Sequence, residues 1–219
     1  MRSVSPAKRR QLARALLLSG LSLRTLLSAA REVVLFGSRA TGPIRRESDW
    51  DLLCIGEGKT RRHGRVHLVW LPSRVLETPT WLGSELANHV VTYGEWVCGE
   101  GSWIPRVHAS VEAARAKRRK LSARLGAVRA AWDLLAPAYR DKHVAIVRRE
   151  LQRLHKLELG LPVPPAPTLD REWNGGSASD GSLLDLARKT DAQSPFLMEV
   201  LAAQEDRARR VGFADLARP

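Results

Sequence analysis

The stretch SDWDLL, Ser48 to Leu53, constrains the fold more than any other part of this chain. It reads as a buried strand, yet it carries two aspartates, Asp49 and Asp51, one residue apart. Alternate side chains of a strand share a face, so both carboxylates point one way while Trp50 and Leu52 point the other. Two like charges about 6 to 7 Å apart repel, and burying carboxylates is costly unless something positive compensates. The pattern therefore predicts a bound positive partner on this strand face. Just upstream, the apolar run VVLF (Val33 to Phe36) is a second strand that stops at Gly37, and Gly37 and Ser38 precede SDWDLL by the ten residues Arg39 to Ser48. Gly37 permits a tight turn with close backbone approach, and with Ser38 and the helix-like start after it offers N–H groups and a hydroxyl to phosphates. Asp49 and Asp51 on one face suit hard divalent cations, most naturally Mg²⁺, which bind carboxylates and nucleotide phosphates together.

An apolar strand, Gly-Ser, about ten residues and then Asp-x-Asp on an apolar strand resembles the active-site signature of the nucleotidyltransferase superfamily, whose fold is the palm of DNA polymerase beta, and especially of its small members. Gly37, Ser38, Arg39, Asp49 and Asp51 carry the resemblance, which covers about Glu32 to Gly99, with VVTYG echoing a short strand that closes such domains. It implies transfer of a nucleoside monophosphate from an NTP, ATP first, to an acceptor hydroxyl, with Mg²⁺ or Mn²⁺ as cofactor. Gly37, Ser38 and Arg39 then bind the nucleotide, and Asp49 and Asp51 hold the metals. One position departs from the family. A third carboxylate is expected on the following strand, and the run Val66-His67-Leu68-Val69 has histidine there. His67 can serve as base or ligand, since neutral imidazole does either. Glu57 and Glu150 are further candidates to replace the carboxylate. The other reading is an impaired enzyme that kept the fold as a binding module for nucleic acid or protein.

With 36 Lys and Arg against 23 Asp and Glu, the net charge of +13 points to a polyanionic partner such as RNA, particularly a tRNA end, although the excess of Arg over Lys also fits compositional drift. A protein side chain or an aminoglycoside-like small molecule remains open as acceptor. The basic candidates for nucleic-acid contact are Arg61, Arg62, His63 and Arg65 in the loop between the motif strands, and Arg115, Lys117, Arg118, Arg119 and Lys120 on a predicted helix. Two cysteines, Cys54 and Cys98, without CxxC spacing indicate neither a disulfide framework nor a zinc site, which suits a reducing, cytoplasmic setting. The N-terminal run from Arg14 is broken by Gly20 and Arg24 and falls short of a membrane span, a secretory signal being the lesser alternative.

The expected fold is α+β: a small mixed-sheet catalytic domain over residues 1–104, then an all-α helical bundle over 105–219 with a Pro/Gly-rich loop near 160–181. Pro6 to Ser19 and Leu21 to Glu32 read as helices, as does Trp81 to His89, and HVVTYGEWVCG reads as one or two short strands. Three-four spacing of apolar residues from Val107 to Leu157 predicts two long amphipathic helices broken near Pro137. The segment LPVPPAPTLDREWNGGSASDG favours an extended or mobile loop, with Trp173 as a candidate stacking platform, and Ser194 caps a last helix running to about Arg209.

Overall fold

A computed structural model describes residues 1–41, 48–131 and 134–174. Serine caps open its N-terminal helices: the Ser5 hydroxyl accepts the Lys8 N–H ahead of α1 (Pro6–Leu18), and the Ser22 hydroxyl accepts the Thr25 N–H ahead of α2 (Leu23–Ala29). Gly20, at φ +71°, turns the chain between them, and Glu32 begins strand β1 (Glu32–Phe36) rather than ending a helix. After a single helical turn, α3 (Ser38–Thr41), the chain enters β2 (Trp50–Ile55). The basic segment expected as a loop contains a strand, β3 (Arg61–His63), which forms a hairpin with β4 (Val66–Leu71) through Gly64 at φ +54°. Local composition hid this strand because its exposed arginines gain their pairing from β4 and not from burial.

Two short helices follow, α4 (Pro79–Leu82) and α5 (Glu85–Tyr93), before β5 (Glu95–Cys98). Val90 to Tyr93 therefore end a helix, where the sequence suggested a strand. The Ser84 cap on the Ala87 N–H commits these β-branched residues to α5, and Gly94 closes it.

The five strands form one mixed sheet in the order β3-β4-β2-β1-β5. β1 lies antiparallel to β2 and β5, β2 lies parallel to β4, and β3 lies antiparallel to β4. Both faces are covered. Val33, Leu35, Leu52, Cys54, Val66 and Leu68 pack with Leu12, Leu16 and Leu26 of α1 and α2. Val34, Leu53 and Ile55 pack with Trp81, Ala87, Val90 and Trp103 on the other side. Strand alternation puts Asp51 on the second face, in line with Leu53 and Ile55. Cys54 and Cys98 flank Val33 on the two neighbouring strands and are free thiols, with burial pushing Cys54 up to about 12.

The chain divides into two compact units, one made of Met1–Ala113 and Gly160–Arg171, the other built on Ala114–Leu159. The second unit carries most of helix α6 (Val111–Ala131) and all of α7 (Pro137–Glu158), whose Leu121, Leu125, Val128, Val147, Leu151 and Leu154 are buried. Pro137 sits at the start of α7, where its missing N–H costs nothing.

Residues 160–171 differ from the loop suggested by composition. Val163, Pro164, Pro165 and Leu169 are buried, and Thr168 and Leu169 donate their N–H groups to the Pro165 carbonyl as α8 (Ala166–Asn174) begins. The prolines supply rigid apolar rings and a fixed φ ahead of a helix, so Pro-rich composition here marks packing and not mobility. The remainder of that segment, the Trp173 side chain and the helix expected from Ser194 lie outside the described residues. No single helix among the described residues is long and apolar enough to cross a membrane, and α1 and α2 are bent by 97° at their break.

Candidate active site

The site is assembled by strand register. Phe36 pairs with Asp51 across β1 and β2, Asp51 with His67 across β2 and β4, and His67 with Arg62 across β4 and β3. Opposed residues of adjacent strands share a face, so one row across the sheet presents an arginine, an imidazole and a carboxylate side by side. His67 Nδ1 lies 3.3 Å from Asp51 Oδ1, and Arg62 Nη1 donates to Asp49 Oδ2 at 2.6 Å. Asp49 stands one residue before β2, and the Trp50 N–H bonds the Arg65 carbonyl at 2.7 Å, holding this entry against the start of β4.

Asp51 is three-quarters buried at its side chain, and burial pushes its carboxyl above the ordinary range while the hydrogen bond from His67 pulls it partway back. A raised carboxyl beside a second carboxylate is a group short of positive charge. Arg62 supplies some of that charge, and a bound cation would supply more. Two carboxylates suffice for Mg²⁺, which keeps waters and takes its remaining ligands from substrate phosphates. Among the described residues no group of three His, Cys, Asp or Glu side chains is arranged to hold a metal ion. The donor set therefore fits a cation completed by nucleotide oxygens and does not fit a closed protein cage.

Gly37 governs the approach to Asp51. A Cβ at this position would meet Asp51 Oδ2 at 2.6 Å, and its φ of +73° is a conformation that side chains rarely adopt. Its N–H, expected to face phosphate, points to His89 Nε2 at 3.4 Å. Gly37→Ala is expected to cost about 2 kcal/mol or more, from the strained φ and the displaced carboxylate together. Chemical denaturation would measure it, and a loss below a few tenths of a kcal/mol would mean the turn is not confined in this way.

Arg39, expected at the nucleotide, is turned into the domain. It is buried, its Nε donates to the Ser48 carbonyl at 2.8 Å, and its guanidinium stacks 4.3 Å above the Trp50 ring, with burial lowering its pKa. It ties the turn after Gly37 to the residue preceding Asp49, so it positions the motif from inside the domain. The short run GSR gives no signal for which way an arginine turns.

The other basic candidates separate by partner. Arg61 is exposed on β3, and His63 pairs with Val66. In the helical unit Lys117 is buried against Glu150 at 2.8 Å, and Arg118 pairs with Glu158. Both charges are engaged in ion pairs within the unit. Arg115, Arg119 and Lys120 are exposed. Glu150 is likewise engaged: burial raises its carboxyl, but Lys117 and Arg153 outweigh this and hold it below the usual range. Glu57 is exposed just after β2.

His89 was missed by the sequence reading. It sits on α5 with its ring buried, bonded to Gly37 and to the Val163 carbonyl, and its only sequence signal was a histidine within an amphipathic helix.

The site thus belongs to a mixed α/β domain whose five-stranded sheet sets a Gly-Ser turn beside an Asp-x-Asp strand. Residues 21–120 match the family model described as nucleotidyltransferase domain, so this part of the chain is similar to that family, and the match contains every residue of the row described above. Such domains transfer nucleoside monophosphates and generally use divalent metals and NTPs. No curated protein matches the chain.

Proposed function

We propose that the protein is a Mg²⁺-dependent nucleotidyltransferase, served also by Mn²⁺, that moves a nucleoside monophosphate from an NTP, ATP first, to an acceptor hydroxyl on RNA, with pyrophosphate leaving. The observation that carries this is the row Arg62, His67, Asp51 beside a glycine turn that has no Cβ to block the carboxylate. Asp49 and Asp51 would hold the cation, which when bound neutralises phosphate charge and favours the in-line displacement. The Ser38 hydroxyl and the amides after it would bind the triphosphate. His67 bonds Asp51 through Nδ1, so its other nitrogen is left to accept the proton of the attacking hydroxyl. In this way an imidazole would do the proton-accepting work of the carboxylate that relatives place there. Arg62, released from Asp49 as the cation binds, would be free to pair with the incoming phosphates.

A second reading, a nucleic-acid or protein binding module without transfer, draws support from the histidine at position 67 where the resemblance leads to a third carboxylate. Incubating the protein with each α-labelled NTP, Mg²⁺ or Mn²⁺, total RNA and total protein separates the two. Label in the RNA fraction supports the proposal. Label in protein or in a small molecule moves the acceptor, and NTP binding with no label in any fraction supports the binding module.

The RNA acceptor rests on the net charge of +13. RNA affinity should fall linearly with salt on a log-log plot, and Arg61→Glu or Arg119→Glu should each flatten the slope by about 0.7 for a lost single-strand phosphate contact. A salt-independent affinity would return the charge to composition.

A further inference from the structure

We propose that His89 is a positioning residue of the nucleotide site: its imidazole accepts the Gly37 N–H and fixes the Gly-Ser turn, while the Val163 carbonyl selects the tautomer able to do so. The proposal rests on the reading of this turn as the triphosphate seat.

The partners assign the ring. A carbonyl oxygen only accepts, so His89 Nδ1, 2.8 Å from the Val163 oxygen, carries the hydrogen and donates it. Nε2 is then the lone-pair nitrogen, and it is the one that faces the Gly37 N–H at 3.4 Å. The imidazole is 7% exposed, meets the Phe36 ring edge-on with centroids 6.3 Å apart, and lies against Tyr93 at 5.3 Å. A ring held on both sides cannot swing to follow the turn, so the turn is held to the ring.

This restraint matters because Gly37 is the residue least able to restrain itself. Without a Cβ it has access to both signs of φ, and it is held at φ +73° within the space that Asp51 leaves. Rotation of the Phe36–Gly37 peptide would move the turn that leads into Ser38, and the bond to Nε2 opposes that rotation. A histidine that served only to satisfy the Val163 carbonyl would need one nitrogen; this one has both turned to backbone groups, from two segments far apart in sequence.

Two conservative substitutions separate the bonds. In His89→Gln the amide oxygen can reach the Nε2 position and accept from Gly37, with no donor at the Nδ1 position. In His89→Asn the amide nitrogen takes the Nδ1 position and keeps the Val163 bond, with nothing to reach Gly37. In the full-length protein, with thermal melts to confirm folding, three quantities would be measured: steady-state transfer, equilibrium binding of Mg²⁺-ATP, and hydrogen exchange of the Gly37 amide by NMR. His89→Asn is expected to speed Gly37 exchange and to raise KM and the dissociation constant for ATP about tenfold, the worth of one buried hydrogen bond, with a smaller change in kcat. His89→Gln should recover most of this loss. Wild-type exchange and wild-type ATP binding in His89→Asn would overturn the proposal, as would a defect in His89→Gln larger than in His89→Asn, which would make the Val163 bond the important one. If wild-type protein transfers no label yet the two variants still differ in ATP binding as expected, the reading as a transferase fails and the role of His89 at the nucleotide seat stands.

Discussion

Asp51→Asn should lower nucleotidyl transfer about a thousandfold while the protein melts at the same temperature or higher. The rate falls because one of two carboxylates available to the cation is lost, and several kcal/mol of charge stabilisation at tenfold per 1.36 kcal/mol amounts to about three decades. Stability moves the other way. Burial raises the Asp51 carboxyl, so the folded state binds its proton more tightly than the unfolded chain does. Its ionised form is therefore held at a cost, and that cost grows as pH climbs from the ordinary carboxylate range through the raised value. Asparagine carries no such charge, so the advantage of the variant over wild type should widen with pH across this window. Asp49→Asn should lose transfer in the same way but gain no stability, because Asp49 is already paired with Arg62 at the surface, an interaction worth less than about 1 kcal/mol. Transfer assays with melts at pH 4 and pH 7 check both variants. Transfer surviving in Asp51→Asn, or both proteins unfolding, would remove these carboxylates from the chemistry.

His67→Ala should lower transfer about a hundredfold or more, the usual contribution of a positioned general base. His67→Asp should retain more activity than the alanine variant, because Asp51 and position 67 are in register on adjacent strands and a carboxylate there faces the same acceptor. Its pH profile should differ from that of wild type, since a carboxylate and an imidazole are different bases. A third negative charge beside Asp51 should also destabilise the metal-free protein, and added Mn²⁺ should restore the melting temperature by binding the folded state. Superimposable pH profiles for wild type, His67→Ala and His67→Asp would deny this residue any part in the proton transfer.

What the sequence determined was local. The compact apolar run VVLF and the runs SDWDLL and VHLVWL mark three strands of one sheet, bounded as they are by turn residues. The glycine after VVLF marks a turn because no other residue accepts that conformation at low cost, and serine caps mark where α1 begins for the same kind of reason. Asp-x-Asp stated its electrostatic problem outright, since two carboxylates on one face need a compensating charge wherever the strand lies.

What tertiary structure decided was direction and register. Arg39 and Arg61 are the same residue type, yet one stacks inside on Trp50 and the other is exposed on β3. Lys117 and Lys120 share a helix, but one faces Glu150 and the other does not share that burial. Charge gives an ion pair its strength without saying where the partner will come from, and these partners come from residues distant in sequence. The alignment of Arg62, His67 and Asp51 exists only once β3 pairs with β4 and β4 with β2. His89 reaches Gly37 and Val163 across 52 and 74 residues. No local pattern encodes such separations, because the free energy that selects them comes from packing both sheet faces at once.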